Sequence, residues 1–143
     1  MVARQSVLFE AFLEAACVDG RATLALDAGP KEILLHPHCH QRSMGLAAPA
    51  KALLSRIPSA SVVDLDSGCC GMAGSFGYTR DHYDVSRAIG ERKLLPAARA
   101  MKEHTVLVAA GTSCRHQVAD LAGATAVHPA VLLRSLLVET RTR

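Results

Sequence analysis

The sequence predicts a three-layer α/β fold: a mostly parallel sheet of about four strands between helices, in a Rossmann-like topology. Short apolar runs alternate with longer segments of helical spacing along the chain. Hydrophobic residues make up 50% of the sequence but aromatic residues only 3%, so the core must consist of Ala, Val and Leu, which suits helices on a buried parallel sheet. A length of 143 residues predicts a single domain over residues 1–143.

The first half of the chain is expected to supply two strands of that sheet. The predicted elements are a helix over Ser6–Cys17, a weak edge strand over Arg21–Leu26, a strand over Glu32–His36, a helix near Ser43–Ile57 and a strand over Ser61–Leu65. Leu8, Phe12 and Leu13 share one side of the first helix. Glutamates inside the same apolar run distinguish this helix from a secretory signal.

The second half is expected to supply the other two strands. The predicted elements are a helix over Asp81–Met101 with Asp81 as N-cap and Pro96 as a kink, a strand over Thr105–Ala110, a helix over Ser113–Leu121, a strand over Ala124–His128 and a last helix from Pro129 into a basic tail. The apolar positions Val85, Ile89 and Leu94 predict the buried stripe of the long helix.

Four of the five cysteines follow the ends of predicted strands. Cys39 follows the first strong strand, Cys69 and Cys70 follow the second, and Cys114 follows the third. The carboxyl ends of parallel strands share one edge of the sheet, so these thiols are expected to meet there. Cys39 and Cys114 also lie at predicted helix starts, which favour thiolates. Cys17, on the first helix, is expected to be a core residue.

The cysteine pair lies in the glycine-rich stretch DSGCCGMAGSFGY. Two adjacent cysteines normally point apart, and bringing both to one centre needs an unusual backbone. Gly68, Gly71, Gly74 and Gly77 are expected to take positive φ and to let the backbone approach a ligand closely. A plain turn needs one or two glycines, so four favour a binding loop.

Composition narrows the function classes. The net charge is +3, and the cations are scattered without interleaved aromatic residues, which argues against a nucleic-acid surface. No apolar run approaches the ~18 residues of a membrane span. The odd cysteine count and the lack of a secretory signal indicate a reducing, cytoplasmic setting. There, clustered cysteines more often serve metals or catalysis than disulfides.

Four motifs carry a resemblance to a known family. They are HPHCHQ at His36–Gln41, DSGCCGMAGSFGY at Asp66–Tyr78, HYDVSRAIGERKLLPA at His82–Ala97 and GTSCRHQ at Gly111–Gln117. With them the chain resembles the cysteine-rich CCG domain of the B-type subunit of heterodisulfide reductase, of glycolate oxidase and lactate-utilisation iron–sulfur subunits, and of FAD-linked D-lactate and D-2-hydroxyacid dehydrogenases. It is most similar to the C-terminal part of the last group, and the similarity covers nearly the whole chain.

The resemblance implies an electron-transfer or substrate-proximal domain of an iron–sulfur oxidoreductase that acts on 2-hydroxy acids of the lactate, glycolate or 2-hydroxyglutarate type. It implies partners: an FAD-linked oxidase domain that carries the FAD and a ferredoxin-like [4Fe–4S] domain or subunit, with membrane association only peripheral and through a partner. This chain shows neither a dinucleotide-binding glycine pattern nor the ferredoxin cysteine run. We therefore expect a C-terminal fragment or small subunit that is inactive by itself.

One position departs from the family pattern, and it leaves three kinds of site open. The fullest pattern supplies five thiolates, but Gln117 stands where the fifth cysteine is expected. The four remaining thiolates suit an iron–sulfur cluster or a single Zn or Fe ion. The alternatives are a structural zinc- or iron-binding docking module without activity, and a metal-free dithiol that cycles between Cys69 and Cys70 or another pair.

Histidines and one arginine complete the candidates. His36, His38 and His40 flank Cys39 and could serve as ligands, proton relays or hydrogen-bond partners of a centre. The candidates for catalysis or substrate contact are His38, His40, His82, Arg115 and His116. Such residues are more often structural than catalytic.

Overall fold

The computed structural model describes residues 6–138 and centres on a parallel sheet. The strands are β1 (Glu32–His36), β2 (Ser61–Asp64), β3 (Thr105–Ala109) and β4 (Ala126–Val127). They lie in the order β2-β1-β3-β4, and every strand pair is parallel. This confirms the predicted three-layer α/β fold. Because the chain moves outward from β1 in both directions, the crevice between the ends of β1 and β3 is the topological switch point.

Helices cover both faces of this sheet. They are α1 (Phe9–Val18), α2 (Cys39–Ser43), α3 (Ala47–Leu54), α4 (Tyr83–Gly90), α5 (Leu94–Arg99), α6 (Thr112–Ala122) and α7 (Pro129–Leu136), with a 3₁₀ turn at Phe76–Tyr78. The last helix begins at Pro129 as predicted, where the missing N–H costs nothing. The predicted basic tail lies outside the described residues. Among residues 6–138, no helix has the length and apolarity that crossing a bilayer requires.

Two apolar cores lie on opposite faces of the sheet. One packs Leu107 and Ala109 of β3 against α5, α6 and the loop of residues 66–78, here called the cysteine loop. This core includes Cys70 and Cys114. The other packs Ile33 and Leu35 of β1 and Val108 of β3 against α3 and α7. Alternate side chains of β3 thus enter different cores, which explains why this strand is apolar at every position.

The prediction of one long helix over Asp81–Met101 is wrong, because the segment forms two helices. The residue before α4 is His82 rather than Asp81. The second helix begins at Leu94, so Pro96 lies in its first turn. A proline there lacks an N–H that would have no partner inside the helix, and it therefore needs no kink.

The buried stripe predicted for this segment is wrong at Val85, which is 53% exposed. The buried residues of α4 are the small Ser86 and Gly90. The cysteine loop packs directly onto Ser86, since a Cβ at Gly71 would lie 2.6 Å from the Ser86 carbonyl oxygen, whereas a Cβ at Gly90 would lie 3.0 Å from Leu95 Cδ1 and 3.1 Å from the Gln117 amide.

Three other expectations also differ from the structure. The helix expected near Ser43–Ile57 is interrupted at Gly45, whose φ is +73°. The edge strand expected over Arg21–Leu26 is reduced to one antiparallel bridge between Leu26 and Leu137, which is formed by two backbone hydrogen bonds, from Asp27 N–H to Leu136 O and from Val138 N–H to Ala25 O. On α1, Glu10 is buried while Phe12 is 54% exposed, so the helix turns a different side to the protein than its apolar spacing predicts.

Candidate metal centre

The carboxyl edge of the sheet gathers the cysteine-bearing segments. Cys39 is the first residue of α2, directly after β1, and Cys114 is the third residue of α6, after β3. Cys69 and Cys70 lie in the loop that follows β2. Parallel pairing of the strands therefore brings three distant segments to one place. All five cysteines are free thiols, and Cys17 lies apart on α1.

The inner part of the site consists of two thiols and an imidazole. The sulfur atoms of Cys70 and Cys114 are 3.2 Å apart, with the Cys114 thiol donating to Cys70. A ring nitrogen of His36 lies within 4.8 Å of both sulfurs, and all three side chains are buried. Two sulfurs and a nitrogen at these separations form a donor set suited to a soft or borderline metal.

The outer part of the site is formed by Cys39 and Cys69, which are half-buried. Cys39 is close enough to act on both other segments, because it contributes to the raised pKa of Cys69 and to that of Cys114. The backbone N–H of Gly71 donates to Cys69 Sγ at 3.3 Å. The structure therefore places all four predicted thiols at this edge of the sheet, with Cys70 and Cys114 in contact, and the role of the four as ligands stays a prediction.

Proton sharing prepares the inner pair for a cation. The pKa of Cys70 lies well below that of an ordinary thiol, first because the Cys114 thiol donates to it and then because His36 favours its thiolate. The same hydrogen bond, together with burial, raises the pKa of Cys114. Burial is also the main cause that raises the pKa of Cys69. One buried thiolate thus lies beside a thiol that metal binding would deprotonate.

His36 is the residue that sequence reasoning undervalued. It is 1% exposed, and its Nδ1 lies 2.6 Å from Ser67 Oγ. Its Nε2 is buried without a hydrogen-bond partner among the described residues. An imidazole fixed through one nitrogen and unsatisfied at the other is the usual arrangement of a metal-binding histidine. A polar residue that ends an apolar strand was the available signal.

The glycines of the cysteine loop are required for two different reasons, backbone conformation and lack of space for a side chain. Gly71 has φ = +94°, and Gly68 and Gly74 also have positive φ. The expectation of positive φ is wrong at Gly77, whose φ is not in that region. Gly77 is required for space instead, because a Cβ there would collide with Ser86 Oγ.

Gln117, which stands at the position of the absent fifth cysteine, has a structural partner. It is 1% exposed, and its Nε2 donates to Ser86 O at 3.2 Å and Ser86 Oγ at 3.1 Å. These bonds tie α6 to α4 behind the cysteine loop. Gln117 thus fixes the position of Ser86, on which the cysteine loop packs.

His38 and His40 lie beside the thiols but face a neighbouring cavity. Both line it together with Gly111. A Cβ at Gly111 would lie 2.6 Å from His38 Cδ2 and 2.8 Å from Cys114 Sγ. The His38 ring and the Cys114 sulfur are therefore separated by little more than one methyl group, and the cavity borders the thiol site.

The remaining sequence candidates have other contacts. The ring of His82 stacks on Phe76 with centroids 3.8 Å apart. Arg115 donates from Nη1 to the backbone carbonyls of Ala109 and Ala110, so it fixes the end of β3. His116 is exposed. None of these three side chains belongs to the group formed by His36, Cys70 and Cys114.

An ion pair joins two of the segments that carry cysteines. Arg42 Nη2, on α2, lies 2.5 Å from Asp64 Oδ1, at the end of β2, and both side chains are about three-quarters buried. We expect a double-mutant cycle of Arg42→Gln and Asp64→Asn to give a coupling of about 1 kcal/mol in urea unfolding. The exposed Arg21–Asp19 pair is the control and should give almost no coupling. Equal couplings would contradict the linking role.

A tyrosine joins the cysteine loop to α6. Tyr78 donates to Asp120 Oδ2 at 2.5 Å, and this bond raises the pKa of Tyr78 to about 12. Because the folded pKa exceeds the unfolded value of about 10, the stabilisation is complete below pH 10 and is lost as the pH rises toward 12.

We therefore expect Tyr78→Phe to remove a decline in urea stability above pH 10, with an effect of at most about 1 kcal/mol because the pair is exposed. Tyr83→Phe, at the other tyrosine, is the control. An unchanged pH profile in the Tyr78 variant would refute this role.

Comparisons with known proteins agree with this geometry. Residues 33–119 match the profile of the family described as CCG, cysteine-rich domain. A stretch of 73 residues is 38% identical to the subunit named C of the anaerobic glycerol-3-phosphate dehydrogenase of Escherichia coli strain K12, and equally to that of Escherichia coli O157:H7. That stretch is 51% of this chain but only 18% of each relative. No solved structure matches the chain. Since the family profile covers more than half of the chain, the protein belongs to the CCG cysteine-rich domain family.

Proposed function

We propose that this chain is the electron-transfer domain of an iron–sulfur oxidoreductase. In this proposal Cys39, Cys69, Cys70 and Cys114 hold an iron–sulfur centre at the carboxyl edge of the sheet. The observation that carries the proposal is the meeting of the Cys70 and Cys114 thiols with the imidazole of His36, three buried side chains from three separate segments, of which the histidine has an unsatisfied ring nitrogen. Membership of the CCG family and the similarity to one component of a dehydrogenase support it.

The surroundings of the thiols fit such a group. An iron–sulfur centre supplies one-electron redox chemistry, and its potential depends on burial and on hydrogen bonds to sulfur. The chain offers both, because Cys70 and Cys114 are 4% and 2% exposed and the N–H of Gly71 donates to Cys69. His36 could provide a nitrogen donor in place of the absent fifth thiolate.

The resemblance and the relative support a proposal for the substrate and the partners. We propose that a partner domain with FAD oxidises a 2-hydroxy acid of the lactate, glycolate or 2-hydroxyglutarate type. Electrons then pass through this domain and a ferredoxin-like [4Fe–4S] domain or subunit. The relative's name includes glycerol-3-phosphate, which shares a hydroxyl-bearing carbon with 2-hydroxy acids. A cytoplasmic location, with membrane contact through a partner, belongs to the same proposal.

Metal and sulfide analysis tests the centre itself. The chain should be purified without oxygen, and we expect a brown protein that contains iron and acid-labile sulfide. A colourless product that stays free of iron and sulfide after reconstitution would refute the proposal.

A structural docking module is the second candidate, because four clustered thiols also suit a closed tetrahedral zinc or iron site. In that case each chain should contain one metal ion and no acid-labile sulfide, and chelation should lower the Tm. A metal-free dithiol is the third candidate, and the 3.2 Å contact favours Cys70 with Cys114 over the adjacent pair. Loss of these two thiols together on mild oxidation would support it.

A further inference from the structure

A second cavity, of about 420 Å³, borders the thiol site. It is separated from Cys114 by His38 and Gly111. Its lining includes Phe9, Glu10, His38, Gln41, Met44 and His128. Its walls are largely apolar, and its few polar groups come from α1, from α2 and the residue before it, and from the residue after β4. A concave apolar site of this size with a few polar groups is the usual form of a small-molecule site.

Glu10 gives this cavity an unsatisfied acceptor. The side chain is only 3% exposed although it lies on a surface helix. Its Oε1 is buried without a hydrogen-bond partner among the described residues. A carboxyl oxygen in such a position is costly unless something donates to it. None of the interactions at the thiol site accounts for this residue.

Two histidines give the cavity hydrogen-bond donors. His128 Nδ1 accepts from the backbone N–H of Ala130 at 3.1 Å, so its ring proton is on Nε2. His38 Nδ1 accepts from the backbone N–H of His40 at 3.3 Å, which also leaves the proton on Nε2. Burial, and then the charge of Arg115, lower the pKa of His128, while the charge of Glu10 opposes them. The imidazole of His128 is therefore a neutral donor.

The lining favours a neutral occupant over a simple ion. The described residues that line the cavity include no Lys or Arg, so an anionic ligand would lack a counter-charge. A metal cation lacks a formed site. Over residues 6–138, the one group of three metal-binding side chains with ligand atoms within 4.8 Å of one another is His36, Cys70 and Cys114. An ammonium group would satisfy Glu10, but it has no acceptor for the N–H donors of the cavity, which include the buried Gln41 Nε2 that has no hydrogen-bond partner among the described residues.

A hydroxyl group satisfies all of these conditions, because it donates one hydrogen bond and accepts another. We propose that this cavity binds an uncharged alcohol or phenol. Its hydroxyl donates to the Glu10 carboxyl and accepts from Nε2–H of His128 or His38, and its apolar body lies against Phe9 and Met44. The site is distinct from the thiol centre, and its occupancy does not depend on a metal.

Three probes that share a phenyl ring but differ in charge test this proposal. They are benzyl alcohol, benzylammonium and benzoate. Each is titrated into the ¹⁵N-labelled full chain and followed by amide chemical shifts. We expect benzyl alcohol to shift the amides of Phe9, Gly111 and Ala130 saturably and to bind about tenfold more tightly than either ion. Glu10→Leu should weaken this binding about tenfold, whereas Glu14→Leu, on the same helix but paired with Arg56, should not.

Several results would overturn the proposal. They are tighter binding of benzoate or benzylammonium, shifts confined to other parts of the chain, unchanged affinity in Glu10→Leu, and saturable zinc binding at the cavity in a Cys70→Ser background. If Glu10→Leu does not fold, the wild-type shift map and the order of the three probes decide. A negative result here leaves the metal and sulfide content of the chain unaffected, so the two proposals fail separately.

Discussion

Replacing Cys70 by serine is expected to abolish metal incorporation, while replacing Cys17 leaves it intact. Cys70 is buried at the centre of the thiol group, whereas Cys17 lies on α1 outside it. Loss of an outer-shell partner of a metal site typically costs 10–100-fold in affinity, and loss of a ligand should cost more than about 100-fold. The measurement is iron, zinc and sulfide per chain after identical anaerobic purification of both variants.

Further substitutions separate ligands from supporting residues. Cys114→Ser should match Cys70→Ser, because the two sulfurs form one pair. His36→Ala should lower metal affinity or change the spectrum of the centre, since a ring nitrogen of His36 lies within 4.8 Å of both sulfurs. Normal metal content in both cysteine variants would show that the centre lies elsewhere.

Gly71→Ala is expected to destabilise the fold by about 3 kcal/mol, which corresponds to a drop in Tm of roughly 10 °C. Two costs add. The φ of +94° disfavours any side chain, and the new Cβ would lie 2.6 Å from Ser86 O and 3.0 Å from Ile89 Cβ. The loop would have to move away from α4, which also displaces Cys70. Thermal and urea unfolding measure the effect.

Gly68→Ala is the matched control in the same loop. Its φ is +66°, but an added Cβ meets nothing within 4 Å. Only the backbone cost remains, so we expect a loss of about 1 kcal/mol. Equal losses at the two positions would mean that the packing of the loop on Ser86 contributes nothing, and the close approach would lose its significance.

The sheet and the meeting of the thiols could be predicted from sequence for a common reason. Strands buried on both faces appear as apolar runs, as Thr105–Ala109 shows, and parallel order then places whatever follows them at one edge. The positions of Cys39 and Cys114 after such runs therefore carried three-dimensional information.

The errors arise where partners distant in sequence decide the outcome. Val85 fits an apolar stripe, but the face of α4 that is buried is chosen by the cysteine loop, which needs Ser86 there. Glu10 is polar on an exposed-looking helix, and only the cavity beside His128 shows that it is buried. The apolar spacing within one helix does not show which other segments pack against it, so it could not predict which of its residues are buried.

Cys70 and Cys114 belong to the same apolar core as Leu95 and Leu107. Oxidation of either sulfur would therefore affect the packing of this core as well as any metal binding. Over-oxidation to a sulfinate would place a permanent negative charge among aliphatic side chains, where it has little solvation. A chain damaged in this way should unfold and become a substrate for proteases. Over-oxidation of these cysteines would therefore lead to degradation of the protein.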